Sequence, residues 1–339
     1  MKKITLLLSS IFIGASSFAQ NFTGTYNFSL VTASSGTVTG TGLNDPTPVP
    51  TATGVTFGSF SAVGVPGTNP NASGRFSFQG WPIGATNGSD VYANLTGSID
   101  LGEYYTVTVA PAAGYSISFS SIKFRVERSS AGVRTYAVRS SADGYASNLS
   151  ATIAPTNANL SVQANNTFFW NFDATTSPQD GSTITLSGAS FTNITSPITF
   201  RFYGWNSEVG GISGGTFSID NVAISGSASL AAPSISVQPS NISVCDNTSA
   251  SFSISAVGAS SYLWQEDNGS GFTALSNAGV YSGVSTNVLN ISNATGLDGY
   301  QYRCIAINGV GSTTSNSATL TINPTVTPAI GIVTPFTTY

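Results

Sequence analysis

Tyr104-Tyr105-Thr106-Val107-Thr108-Val109 alternates Tyr105, Val107 and Val109 with Tyr104, Thr106 and Thr108, the period of two that a half-buried strand requires. Pro111-Ala112-Ala113-Gly114 then turns the chain, and Ile117 and Phe119 resume the alternation. Ile122, Phe124 and Val126 continue it on the other parity, with Lys123, Arg125 and Glu127 facing away. A change of parity within one strand needs an extra residue, so a bulge or bend is expected at Ser120-Ser121. Arg125 and Glu127 read as part of a solvated sheet face.

Downstream, Ser129-Ser130-Ala131-Gly132 reads as a hairpin connection into Arg134–Arg139, and Ser141-Ala142-Asp143-Gly144 as a further turn. Ile198-Thr199-Phe200-Arg201-Phe202-Tyr203-Gly204-Trp205 and, after a Gly-rich loop, Thr216–Ile224 repeat the alternation with aromatic residues. Similar runs recur along the chain, punctuated by Gly, Pro, Asn and Asp at intervals of roughly 8 to 12 residues, and no window carries a helical stripe. The fold class expected is all-β: a large jelly-roll-type β-sandwich over 22–228, then a second domain over 233–322. Gly226–Pro233, built of small residues, is the expected linker. Residues 323–339 read as a further linker and the start of another module, so further modules of the same chain are expected.

Lys2 and Lys3 precede an uncharged apolar run from Ile4 to Phe18, and Ser17-Phe18-Ala19 places small residues at −3 and −1 of a cut before Gln20. Residues 1–19 are therefore expected to be a signal peptide, too short to span a bilayer well, which implies a secreted or cell-surface protein. No later apolar run is long enough for a transmembrane segment. Cleavage leaves 8 Lys+Arg against 14 Asp+Glu, a net charge of −6, and charged residues make up only 7% of the chain. That balance excludes phosphate-backbone binding, so no nucleic-acid partner is expected. The absence of histidine excludes Ser-His-Asp and Cys-His catalysis and His-containing zinc sites.

Two resemblances follow from particular motifs. Tyr136-Ala137-Val138-Arg139-Ser140-Ser141-Ala142-Asp143-Gly144-Tyr145, with the later Phe217-Ser218-Ile219-Asp220-Asn221-Val222, resembles a jelly-roll module at the start of secreted proteins of Gram-negative gliding bacteria. The closing Phe-x-Ile-Asp-Asn-Val is similar to the last strand of carbohydrate-binding jelly rolls. In some of these the aspartate supports a structural calcium ion, which the resemblance carries to Asp220; no other cofactor is expected.

In the second domain, Leu297-Asp298-Gly299-Tyr300-Gln301-Tyr302-Arg303-Cys304 resembles the strand-F motif of immunoglobulin domains. The resemblance implies a role for Asp298, a tyrosine corner at Tyr302 whose hydroxyl bonds upstream backbone, and a buried strand-C indole at Trp264. Ser251–Ser255 resembles strand B, but the usual cysteine slot holds Ile254, and Cys245 lies nine residues earlier. Two cysteines in an exported chain favour a Cys245–Cys304 bridge, which would close a loop of about 60 residues and contribute roughly 4 kcal/mol. The alternative is a reduced Cys304 packed against Ile254, with Cys245 facing solvent.

Sugar sites on sandwiches pair an aromatic platform with hydrogen-bonding side chains. Trp81 beside Pro82, Trp170 beside Asn171 and Asp173, and Trp205 beside Asn206 and Glu208 have that local chemistry. Trp205, Asn206 and Glu208 are the preferred ligand-binding cluster, because Trp205 ends a strand and enters a loop containing Gly210, Gly211, Gly214 and Gly215. A glycosidase pair drawn from Glu103, Glu127, Glu208 and Asp173 is the weakest reading, since nothing in the sequence brings any two together. The function expected is a non-catalytic exported binding or adhesion protein, not an enzyme, with a polysaccharide or glycan as partner. The alternative is the non-catalytic front of a larger secreted hydrolase whose catalytic domain lies beyond Tyr339.

Overall fold

The structure, a computed structural model, describes residues 19–32, 43–65, 67–69, 72–211 and 214–323. The expected signal peptide, apart from Ala19, and the expected further module after Asn323 lie outside these residues. The chain divides into two units between Leu230 and Ala231. No helix among the described residues is long and apolar enough to cross a membrane.

The first unit is built from two antiparallel sheets. One orders Ala151–Ile153, Gln179–Thr185, Tyr115–Glu127, Thr216–Leu230, Phe76–Gln79 and Gly67–Thr68, with Gln20–Tyr26 also paired to Thr216–Leu230. The other orders Leu160–Gln163, Thr167–Trp170, Thr135–Ser140, Ile198–Trp205, Tyr104–Pro111, Ser61–Val63 and Leu43–Asn44, with Val55–Phe57 also on Tyr104–Pro111. Alternating residues of both sheets meet in one aromatic core. Phe124 contacts Phe202 with ring centroids 5.2 Å apart, and Phe119 contacts Phe200 at 5.6 Å, each edge to face. The buried Tyr105 hydroxyl donates to the Phe217 carbonyl and accepts from the Phe78 amide at 3.0 Å, so its polar end is satisfied inside the core.

The expected bulge is present. Ser121 pairs with Ser225 but Phe119 with Gly226, so Ser120 has no partner on Thr216–Leu230 where the buried parity changes, although its carbonyl accepts from the Leu186 amide at 2.9 Å. A second bulge lies at Asp220-Asn221, where the register shifts between Asp220 and Ala223 and Asn221 takes a left-handed φ of 49°.

Two expectations about connections are corrected. Ser129–Gly132 is no hairpin: Tyr115–Glu127 and Thr135–Ser140 belong to different sheets, so Arg128–Arg134 crosses the sandwich. Gly226–Leu230 is no linker either, because Thr216–Leu230 stays paired on both sides as far as its end. A Cβ at Gly226 would stand 2.3 Å from the Ser118 carbonyl oxygen, so this glycine answers a close strand approach.

The second unit is also a β-sandwich. Its largest sheet orders Ile242–Cys245, Ala318–Asn323, Gln301–Ile307, Ser261–Asp267 and Thr273–Ala274, and Ala250–Ser253, Val288–Ile291 and Tyr281–Ser282 form another. Trp264 is fully buried between them, opposite Cys304 in register, and its indole N–H donates to the Thr286 carbonyl at 2.9 Å. The expected disulfide is not formed: Cys304 is a buried free thiol and Cys245 an exposed one. Ile254 lies in the same core cluster as Cys304, filling the strand-B slot with an apolar side chain.

The tyrosine corner is replaced. The Tyr302 hydroxyl lies 3.2 Å from the Tyr281 hydroxyl, which donates to Glu266 at 2.5 Å, a relay of side chains in place of upstream backbone. Asp298 accepts from the Ile322 amide at 2.8 Å and so ties the approach of one strand to its neighbour.

Candidate functional site

The expected Trp205, Asn206 and Glu208 cluster is pulled apart by the fold. Along Ile198–Trp205, Phe200 and Phe202 point into the sandwich, so Arg201, Tyr203 and Trp205 face outward. Trp205 is nevertheless only 6% exposed, because it packs with Ala137 and Tyr203 and is flanked by Ile99 and Tyr104. Its indole has no open face for a sugar to stack on, which overturns the platform expected of it.

Asn206, in a left-handed conformation, accepts from the Gly97 amide at 2.7 Å and donates to Thr135 at 2.8 Å. A Cβ at Gly84 or Gly97 would stand 2.3 or 2.5 Å from its Oδ1, so the loop closes on Asn206 only because both are glycine. Asn206 is thus a lock for the covering segment, not a ligand contact. Trp81 and Trp170 are fully buried core residues.

Glu208 belongs to a different constellation, which the sequence did not reveal. The sandwich crossing places Arg128 and Arg134 with both side chains fully buried, and Asp173 stands between them. Asp173 Oδ1 accepts from Arg128 at 2.6 Å and from Arg134 at 3.0 Å, while its Oδ2 accepts from the Gly88 amide at 2.7 Å. Arg128 also donates to the Gly132 and Ser130 carbonyls, and Arg134 to those of Ser89 and Trp170. Glu208 lies 3.8 Å from Arg128, and Asp90 3.6 Å from Arg134.

Burial, then a hydrogen bond and charge from Asp173, push the Glu208 carboxyl up to about 7. Burial alone would raise Asp173 as well, but the Glu208 hydrogen bond, the Gly88 amide and both guanidinium groups bring it below the usual carboxylate value. Of the two, Glu208 is therefore the more readily protonated, and its Oε1 is buried without a hydrogen-bond partner. Both carboxyls are ranged against Arg128, and Asp173 also against Arg134, an arrangement of buried ion pairs. Of the other carboxylates considered, Glu127 pairs with Arg75 at 3.1 Å, and Glu103 immediately precedes the strand Tyr104–Pro111, with one oxygen buried and unpartnered.

Beside Trp205 the outer face opens into a depression of about 410 Å³ lined by Ile99, Leu101, Arg139, Asn148, Thr167 and Trp205. Arg139 and Arg201 are directly opposite in register on neighbouring strands. The Arg201 guanidinium carbon stands 4.1 Å from the Tyr104 ring centre and 3.7 Å from that of Tyr145, and Arg139 lies 5.7 Å from the Tyr203 ring centre. Arg139 Nε donates to Asn148 at 2.8 Å and its Nη1 to the Tyr145 carbonyl at 3.0 Å. The sequence carried a signal for this face in the shared parity of Arg201, Tyr203 and Trp205, but not for Arg139 or Tyr145, which come from separate strands and turns.

The calcium expectation at Asp220 is not supported by its surroundings. Its carboxylate accepts from the Asn221 amide at 2.7 Å and side chain at 3.1 Å, and Arg75 and Arg125 line the same depression. Glu127 lines it too, paired with Arg75, so Asp220 stands among charges that already balance rather than in a cluster of free carboxylates. No cluster of three or more His, Cys, Asp or Glu suited to a metal occurs among the described residues.

No protein-family model matches this chain, and no curated protein matches it. Solved structures similar to part of it include titin domain M7, 25% identical over 27% of this chain and 93% of that chain, with a TM-score of 0.23. A complex of titin M10 with an obscurin-like 1 immunoglobulin domain is 19% identical over 29% of this chain and 98% of that chain, with a TM-score of 0.24. The twitchin kinase region of C. elegans is 21% identical over 27% of this chain and 16% of that chain, with a TM-score of 0.23.

Proposed function

We propose that this chain is a non-catalytic, exported surface protein that binds a glycan through the outer face of its first unit. The observation that carries the reading is the depression beside Trp205. It sets an apolar wall of Ile99 and the 57% exposed Leu101 against the polar side chains of Arg139, Asn148 and Thr167. A sugar ring has an apolar face and a hydroxylated rim, and a surface with both characters side by side suits it. The leader-like pattern at Lys2–Ala19 supports export. Asp173 supports binding without turnover, since its carboxylate is already engaged by two buried arginines and the Gly88 amide.

The test is retention of the chain on a panel of immobilised polysaccharides, with assay of released reducing ends. Retention without release is expected. Release of reducing ends, or retention on no polysaccharide, overturns the proposal.

A further inference from the structure

We infer that Arg139 and Arg201 form a carboxylate-binding site for an acidic polysaccharide, which rests on the glycan-binding reading above and narrows it to chains bearing uronic acids. The argument begins with charge. All fourteen acidic residues are described, yet neither Arg139 nor Arg201 forms an ion pair among the described residues, whereas Arg75, Arg125, Arg128 and Arg134 each do.

Arg303 of the second unit also has no ion pair among the described residues, but only Arg139 and Arg201 are cross-strand neighbours on one face, an arrangement that costs stability through like-charge repulsion. The acidic side chains near this face do not relieve it. Asp100 accepts from the Gly102 amide, Asp143 from Ala146 and Ser147 of its own turn, and Glu103 keeps one oxygen buried and unpartnered. Stacking on Tyr104 and Tyr145 fixes the Arg201 guanidinium, and Asn148 and the Tyr145 carbonyl fix that of Arg139. Arg139 Nη2 enters no hydrogen bond among the described residues, and Arg201 has only the Tyr203 hydroxyl as a hydrogen-bonding neighbour; guanidinium edges held in this way match the two oxygens of a carboxylate.

A sugar acid fits this face better than an acidic peptide or a phosphate backbone. Arg139, Asn148 and Thr167 stand beside Ile99, Leu101 and Trp205, so a charged group, hydroxyls and an apolar ring face meet complementary groups within one depression. Nucleic acid calls for a run of basic residues, and the chain after Ala19 has only eight, four of them in the ion pairs above.

The test measures affinity of the chain for polygalacturonate, for neutral dextran, for polyglutamate and for single-stranded DNA at low and high salt. Polygalacturonate is expected to bind best, with weaker binding at high salt. Arg139→Gln and Arg201→Gln should each weaken it roughly tenfold or more, the value of a charge-assisted hydrogen bond. Arg125→Gln, which removes the same charge from the opposite sheet, should leave it unchanged. Unaltered near-ultraviolet circular dichroism checks that the variants fold, and the comparison of ligands on the unaltered chain decides the matter independently of them. Stronger binding of polyglutamate or DNA overturns the inference, as does a folded double variant that binds polygalacturonate normally. Retention of neutral glycans alone also overturns it while leaving the glycan reading in place, and retention of none removes both.

Discussion

Glu208 shows how burial turns one side chain into a pH-dependent element of stability. Its carboxyl rises from an ordinary value of 4.5 to about 7, so the folded state holds its proton more tightly than the unfolded chain does. The stabilisation is complete below about pH 4.5, declines as pH rises, and is lost above about pH 7. The urea midpoint of the chain's first transition should therefore fall between pH 5 and pH 8, and Glu208→Gln, whose amide donates as the protonated acid does, should flatten that fall. An equal slope in the variant would exclude the assignment. Asp173 works in the opposite sense, since its lowered value gives stability that is lost only as pH falls below the ordinary carboxylate range. Asp173→Ala, by stranding Arg128 and Arg134 without their counter-charge, should cost about 3–5 kcal/mol in the same unfolding measurement. The cysteines give a simpler readout. Burial pushes the Cys304 thiol up to about 11, so a thiol reagent should modify Cys245 alone in the native chain and both cysteines in denaturant, with no need for prior reduction.

At the scale of the element, Thr216–Leu230 organises the first unit, because it pairs with Tyr115–Glu127, Gln20–Tyr26 and Phe76–Gln79. Gly226 sits where two of these approach, with Phe22 and the Ser118–Phe119 backbone where a side chain would go. Gly226→Val should destabilise the unit by about 2 kcal/mol or more in urea unfolding, as overpacking against backbone cannot relax by a rotamer change. A true linker would accept the valine at little cost, so the measurement separates the two readings. The alternation of Tyr104–Val109 and Ile117–Val126 was legible from sequence down to the bulge at Ser120, because parity is a local property of the chain. The crossing at Arg128–Arg134 was not, since the same turn residues suit a hairpin and a passage between sheets, and pairing partners distant in sequence decide between them.

At the scale of the molecule, each unit has its own buried cluster, one around Phe124, Phe202 and Phe217 and one around Trp264, Tyr302 and Cys304. A chain ending at Leu230 is therefore expected to fold by itself and to retain the pH dependence assigned to Glu208; a stopped chain that stays unfolded would contradict this. Composition and periodicity by themselves determined that the chain is all-β and that it lacks histidine chemistry, because these properties rest on residue type and on neighbours one or two positions apart. Only the tertiary structure decided that Trp205 is covered, that Cys245 and Cys304 stay apart, that Asp173 meets Glu208 between two buried arginines, and that Arg139 faces Arg201. Each of these joins or separates residues tens of positions apart, and sheet order and register, which no local pattern encodes, set those distances.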